Sequence, residues 1–204
     1  MGNLQRYQSI GETWRAIGKP IPVSAGKNGL AWGRGIYRNA QRAHAKQEGD
    51  GCAPAGIFRV GPAFGYAPRP PGGCKLIYRA ITARDYFVDA PEAAEYNRWV
   101  TIPPDRPNQP EKLWPSFERM KRPDRLYEFG IVVQQNDHPV VMGRGSAIFL
   151  HVWRNPGVPT VGCTAMARDD LLALLRWLEP RQEPLLVQAP ASELKNILSI
   201  EIAH

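Results

Sequence analysis

Gly145-Ser-Ala-Ile-Phe-Leu-His151, continued through Val152-Trp-Arg-Asn-Pro-Gly-Val-Pro159 to Thr160-Val-Gly-Cys163, sets a histidine at the end of an apolar, strand-like run and a cysteine directly after a glycine. Pro156, Gly157 and Pro159 lie between them and are residues that fold a chain back on itself. A cysteine attacks acyl carbon as the thiolate, and a free thiol is mostly protonated at neutral pH, so it needs a nearby base or a positive field. His151 is the partner that position offers: His204 ends the chain, His44 lies in a basic polar stretch, and His138 precedes Pro139 in a turn. Gly162 permits unusual backbone angles and close approach of a substrate. The backbone N–H groups around Val161, Gly162 and Cys163 are then placed to form an oxyanion hole. The spacing alone also fits a buried cysteine beside a core histidine.

Outward from this stretch, the periodicity reads as β-rich. Tyr127-Glu-Phe-Gly-Ile-Val-Val133 is the clearest strand and residues 146–152 the second. Further strands are expected at 21–25, from Leu30, from Ala53 to Phe58, at 76–81 and over Leu185-Leu-Val-Gln188. Gly26-Lys-Asn-Gly29 and Glu48-Gly-Asp-Gly51 read as turns, and 66–74 as a Pro/Gly loop. One helix is expected, over 168–178, with Leu171, Leu172, Leu174, Leu175 and Leu178 as its core face, Asp169 and Asp170 at its positive end, and Pro180 as its stop. The basic positions Arg34, Arg38, Arg42 and Lys46 suit a solvated surface. Residues 101–125 read as a proline-rich surface excursion, a lid or cap, whose charged run from Glu118 to Arg125 is its solvated end. The fold class is therefore mainly β with one late helix (α+β), in a single domain over 1–204 with a tail from about residue 191.

Twenty prolines and nineteen glycines fit many turns and short strands, and 204 residues are ample for one core. The net charge of +7 favours an anionic partner, such as nucleic acid, an anionic membrane or a cell-wall polymer; it is equally what a basic envelope protein carries without using it. The basic residues are scattered and no aromatic-basic motif of an RNA-binding fold is found, which argues against nucleic acid. No apolar run approaches the roughly 20 residues that span a bilayer, and no signal peptide stands out. The start, Met1-Gly-Asn-Leu, reads as the scar of a removed leader. Of the three cysteines, none forms a Cys-x-x-Cys pair, so a zinc ribbon is not expected and no metal ligand is assigned. The odd count fits a Cys52–Cys74 disulfide with Cys163 free, which implies an oxidising compartment; three unrelated buried thiols are the alternative.

His151 and Thr160-Val161-Gly162-Cys163 together resemble the L,D-transpeptidase (YkuD) catalytic domain, which carries a histidine at a strand end and then Ser/Thr-x-Gly-Cys. The common version has His before the glycine and Arg two residues after the cysteine. Val161 and Ala165 stand there instead, as in a proteobacterial subgroup reading Ser/Thr-x-Gly-Cys-x-Ala/Gly. Residues 46–51, the Pro-x-Gly-x-Phe of Ala53 to Phe58, Gly61 to Tyr66, Tyr96-Asn97 and Pro139 to Ser146 are also similar, so the resemblance covers about 20–190.

The resemblance implies a mixed β-sandwich of YkuD type. It implies a periplasmic enzyme whose Cys163 forms a thioester with a peptidoglycan stem peptide, with His151 as base and no cofactor. A second stem peptide then takes the acyl group; water as acceptor would make the enzyme a carboxypeptidase or endopeptidase. The family usually attacks the diaminopimelate–D-alanine bond, and the Val161/Ala165 subgroup implies cleavage after the first stem residue. It further implies acylation of Cys163 by a carbapenem. With the second motif histidine absent, His151 is expected to act alone, oriented by a backbone carbonyl. Tyr96, Asn97, Ser146, Trp153, Arg154 and Thr160 are candidate substrate contacts. Packing is the alternative for Tyr96, Asn97, Ser146 and Trp153, and a solvated surface for Arg154. A non-catalytic wall-binding module is the competing function.

Overall fold

The computed structural model describes residues 1–11, 13–36 and 44–194. In chain order its strands are β1 (Gly2–Ile10), β2 (Thr13–Ser24), β3 (Leu30–Trp32), β4 (Ala53–Gly65), β5 (Tyr78–Ala80), β6 (Asp85–Val88), β7 (Arg98–Thr101), β8 (Phe117–Arg119), β9 (Phe129–Val133), β10 (Phe149–Val152), β11 (Thr164–Met166) and β12 (Leu185–Gln188). The one α-helix among the described residues, α1, spans Arg168–Trp177. A mixed nine-stranded sheet runs β1-β2-β11-β10-β9-β4-β12, with β3 and β5 pairing off β4. A second sheet, β7-β6-β8, has three strands. The α+β class and the mixed β-sandwich expected from the sequence are what is found.

The central strands β9 and β10 are apolar without alternation because both of their faces are covered. On one face Ile131, Val133, Leu150 and Met166 meet Leu171, Leu174, Leu175 and Leu178 of the helix segment. On the other, Phe64, Phe149 and Tyr127 meet Phe87 of β6, joined by Met120 and Cys163. The aromatic rings there pack edge to face, Phe149 lying 5.3 Å from Phe64, 5.2 Å from Phe87 and 5.4 Å from Tyr127. Tyr86 and Val88 point to the opposite side of β6 and bury against Ile102 and Trp114.

The small sheet is tied at Asp85, which is 2% exposed and accepts from Thr101 Oγ1, Thr82 Oγ1, the Thr82 amide and Trp99 Nε1. Burial acts to raise this carboxyl, but the donors outweigh it and hold it below the ordinary value. Asp85→Ala would strand several of those donors. It is expected to cost about 3–5 kcal/mol of unfolding free energy, read by denaturant titration.

Several expectations need correction. Residues 101–125 are not a wholly surface excursion with a solvated end. Ile102, Trp114 and Met120 are buried, and Phe117–Arg119 forms a strand paired with β6. The proline content masked these anchors. Lys46 is not on a solvated surface: it is 4% exposed, with its ammonium 2.5 Å from Asp50. Arg38 and Arg42 lie outside the described residues, as does most of the tail expected from 191. The Cys52–Cys74 disulfide is not formed, and both are free thiols. Cys52 donates instead to the Asn28 carbonyl at 3.3 Å, while Cys74 packs against the helix-side core.

Strand β1 was not foreseen. Among the described residues it pairs only with β2, and the hairpin they form exposes Tyr7, Ile10 and Trp14. No helix among the described residues is long and apolar enough to cross a membrane.

Candidate active site

Strands β10 and β11 are parallel, with Leu150 opposite Thr164, His151 opposite Ala165 and Val152 opposite Met166. Side chains alternate across a strand, so Cys163, two residues before Ala165, lies on the same face as His151. The two are diagonal neighbours on adjacent strands, a spacing that larger side chains bridge. Both are 6% exposed. No direct hydrogen bond joins them in this resting arrangement.

His151 is fixed from two sides. Its Nδ1 lies 2.8 Å from the Val152 carbonyl oxygen, and its ring meets the edge of Tyr127 at 5.3 Å. A carbonyl oxygen only accepts, so Nδ1 carries the proton and Nε2 is left as a lone-pair acceptor. Burial depresses the imidazole to about 4, Arg122 pulls the same way, and the Val152 carbonyl and Asp124 oppose. Cys163 Sγ accepts from the Phe149 amide at 3.3 Å and reaches toward the Ala147 carbonyl at 3.5 Å. Burial pushes the thiol up to about 12. Glu118 adds to this, while the Phe149 amide, Lys46 and Arg122 oppose it. Both shifts run against moving the proton from Cys163 to His151 in the resting site, because burial disfavours the charged form of each. The same burial favours a neutral thiol beside a neutral imidazole.

Thr160 knots the turn before the cysteine. Its hydroxyl donates to the Cys163 carbonyl at 2.6 Å and accepts from the Gly162 amide at 3.2 Å. Its backbone bonds to Ala25 and Lys27 in the segment after β2. The hydroxyl of this candidate substrate contact is therefore engaged within the turn itself. The Gly162 amide is already engaged, and Gly162 is not at positive φ, so the left-handed conformation a glycine permits is not used there. Val161 is 68% exposed. Thr160→Val is expected to cost about 1–3 kcal/mol in stability and to lower the alkylation rate or turnover of Cys163 without altering its identity as the labelled site.

Of the other candidates, Tyr96 and Asn97 are buried. Tyr96 donates to Glu48 at 2.5 Å, and burial followed by that carboxylate drives its phenol well up. Asn97, at φ 57°, donates to the Gln135 and Asn136 carbonyls and accepts from the Ala147 amide, shaping the approach to β10. Ser146 Oγ is buried near the Tyr96 phenol without a well-formed hydrogen bond. Trp153 is half-buried, and its amide donates to Met166. Arg154 is exposed and reaches Asp124 at 3.5 Å.

The sequence missed a polar cluster beside the histidine. Arg122 forms ion pairs with Asp124 (2.8 Å) and Glu118 (3.3 Å), and its guanidinium lies 5.1 Å from the centroid of the Tyr127 ring that abuts His151. Lys46, buried rather than solvated, contributes positive field at Cys163. Its stem occupies the space that a Cβ on Gly145 would fill, and Gly145 sits at φ +85°. That glycine, at the start of the histidine run, was the one signal pointing to a close approach. A second thiol and imidazole, Cys52 Sγ and His44 Nε2, lie 3.7 Å apart. Among the described residues no group of three or more His, Cys, Asp or Glu could hold a metal ion.

No curated protein and no solved structure matches the chain. The family model of the L,D-transpeptidase catalytic domain matches residues 11–187, spanning β2 to β12 and the whole of the site above. The chain therefore belongs to the L,D-transpeptidase (YkuD) catalytic domain family.

Proposed function

We propose that the protein is a peptidoglycan L,D-transpeptidase that joins stem peptides through a thioester on Cys163. The observation that carries this reading is the placement of His151 and Cys163 on one sheet face, with Nδ1 tethered and Nε2 free. When a stem-peptide carbonyl arrives, Nε2 takes the Sγ proton as the S–C bond forms. The Cys163 amide donates to the developing oxyanion. Collapse breaks the C–N bond, and the imidazolium protonates the departing amine. The acceptor amine then attacks the thioester, gives its proton to Nε2, and Sγ leaves and is reprotonated. Arg122 and Lys46 supply positive field to the thiolate.

The subgroup reading, in which donor cleavage falls after the first stem residue to give L-alanine–diaminopimelate links, is supported by Ala165. It is 1% exposed and sits opposite His151, where the common motif carries an arginine. The same reading places the protein in the periplasm and makes Cys163 acylable by a carbapenem.

The test is incubation with purified disaccharide stem peptides and mass spectrometry of the products. A cross-linked dimer, with fragmentation placing the new bond, supports the proposal. Trimmed monomers alone would make the protein a hydrolase on this scaffold. Binding without turnover, unchanged in Cys163→Ala, would make it a wall-binding module.

A further inference from the structure

Beside α1 lies a cavity of about 340 Å³, lined mainly from the helix side of the large sheet, with Tyr66 of the cluster that holds Cys163 at its edge. Phe129 of β9 and Leu172 of α1 contribute to its lining, and both pack on the helix-side core. Arg69, Arg125, Arg168 and Arg176 line it, against the single carboxylate of Glu128. Glu128 is shared, 3.0 Å from Arg168 and 3.4 Å from Arg125. Arg168 also touches the exposed Asp169 at 3.6 Å. Arg69 and Arg176 have no carboxylate partner among the described residues. Arg176 gives only its Nε, to the Gly72 carbonyl at 2.9 Å, which leaves its terminal amino groups available.

Four exposed guanidiniums around one carboxylate leave a local excess of positive charge, which favours an anion. The guanidinium fork matches phosphate and carboxylate alike. The site is also partly ordered in advance. Arg168 lies 5.2 Å from the centroid of the Phe129 ring, and the Tyr78 hydroxyl is bound to the Ala67 carbonyl at 2.7 Å. Pro70, Pro71, Tyr78 and Leu172 give apolar walls, which a bare ion does not need but the body of a sugar-sized ligand does.

We infer that this cavity is a second binding site, separate from Cys163, for a multiply charged oxyanion carried on a sugar-sized body, such as a phosphate ester or a polycarboxylate.

The test is calorimetric titration of the full chain with glucose 1-phosphate, citrate and glucose, in wild type and in Arg69→Gln/Arg176→Gln. Glucose 1-phosphate or citrate is expected to bind with a Kd below about 1 mM, and glucose not to bind. Raising salt from about 50 to about 200 mM should weaken binding, and the double variant should weaken it at least about tenfold. Amide shifts at Phe129 and Leu172 in the wild type locate the ligand without relying on the variant. Whichever anion binds more tightly names the source, phosphate-bearing or carboxylate-rich polymer, within the same proposal. Absence of binding by both anions up to about 10 mM, equal binding by the double variant, or equal binding of glucose would overturn it. The readout is binding, so Cys163→Ala protein serves equally well, and failure of the transpeptidase reading leaves this result unaffected.

Discussion

Cys163→Ala is expected to eliminate cross-linked and trimmed products together, a loss of at least about 10⁴-fold, while the protein still unfolds cooperatively. The change removes one sulfur from the aromatic cluster and one acceptor from the Phe149 amide. The expected stability loss is therefore about 1–2 kcal/mol, far short of unfolding. Intact-mass analysis should show no adduct at this position with a carbapenem or with iodoacetamide. In the wild type, the alkylation rate at Cys163 should stay low through pH 9 and rise only toward about 12, because burial holds the thiol protonated. Rapid labelling at neutral pH would refute the neutral resting pair. Retained turnover in the variant would remove Cys163 from the chemistry altogether.

His151→Gln should lower kcat by about 10²–10⁴-fold while leaving the protein folded. It should also change how stability depends on pH. The buried imidazole titrates near 4 when folded and near 6.5 when unfolded, so between these values the unfolded chain binds the extra proton. The wild type therefore keeps this contribution above about pH 6.5 and loses it as pH falls to about 4, a change of about 3 kcal/mol. Denaturant midpoints measured across that window should slope in the wild type and flatten in the glutamine variant. Equal slopes in both would show that His151 is not held neutral by burial. The acid limb of kcat/KM in the wild type should likewise fall near 4 rather than near 6.5, since that limb reports the free enzyme.

The elements that could be read from the sequence are those whose apolar pattern needs no partner to interpret. β9, β10, β12 and α1 carry long or strictly spaced runs, and they were legible to within a few residues. β6, β7 and β8 are three or four residues long and sit among prolines and charges. They are strands only because Phe87 and Met120 find Phe149 and Phe64 across the sandwich. β1 is polar and mostly exposed, and its strand state comes from pairing with β2. At the site, the motif exposed Cys163 and His151 through their sequence neighbours. Arg122 and Lys46 could not be found that way. Each is a cation in a charged run, and only the fold tells that one lies over Tyr127 and the other under Gly145. The proposed disulfide shows the limit of counting: parity says nothing about which side of the molecule a cysteine faces.

The parallel pairing of β10 with β11 also separates the distance between two residues in space from their distance along the chain. Ladder register and the Thr160 knot hold Cys163 diagonal to His151, whereas residues 154–159 between them are exposed. The intervening loop is thus free to drift in length, since lengthening a surface loop carries only a small entropic cost. Among related chains the interval between histidine and cysteine should vary while the threonine and the two strands do not. A search pattern that fixes that interval would discard true relatives. One anchored on the two strand ends, with an open gap between them, would keep them.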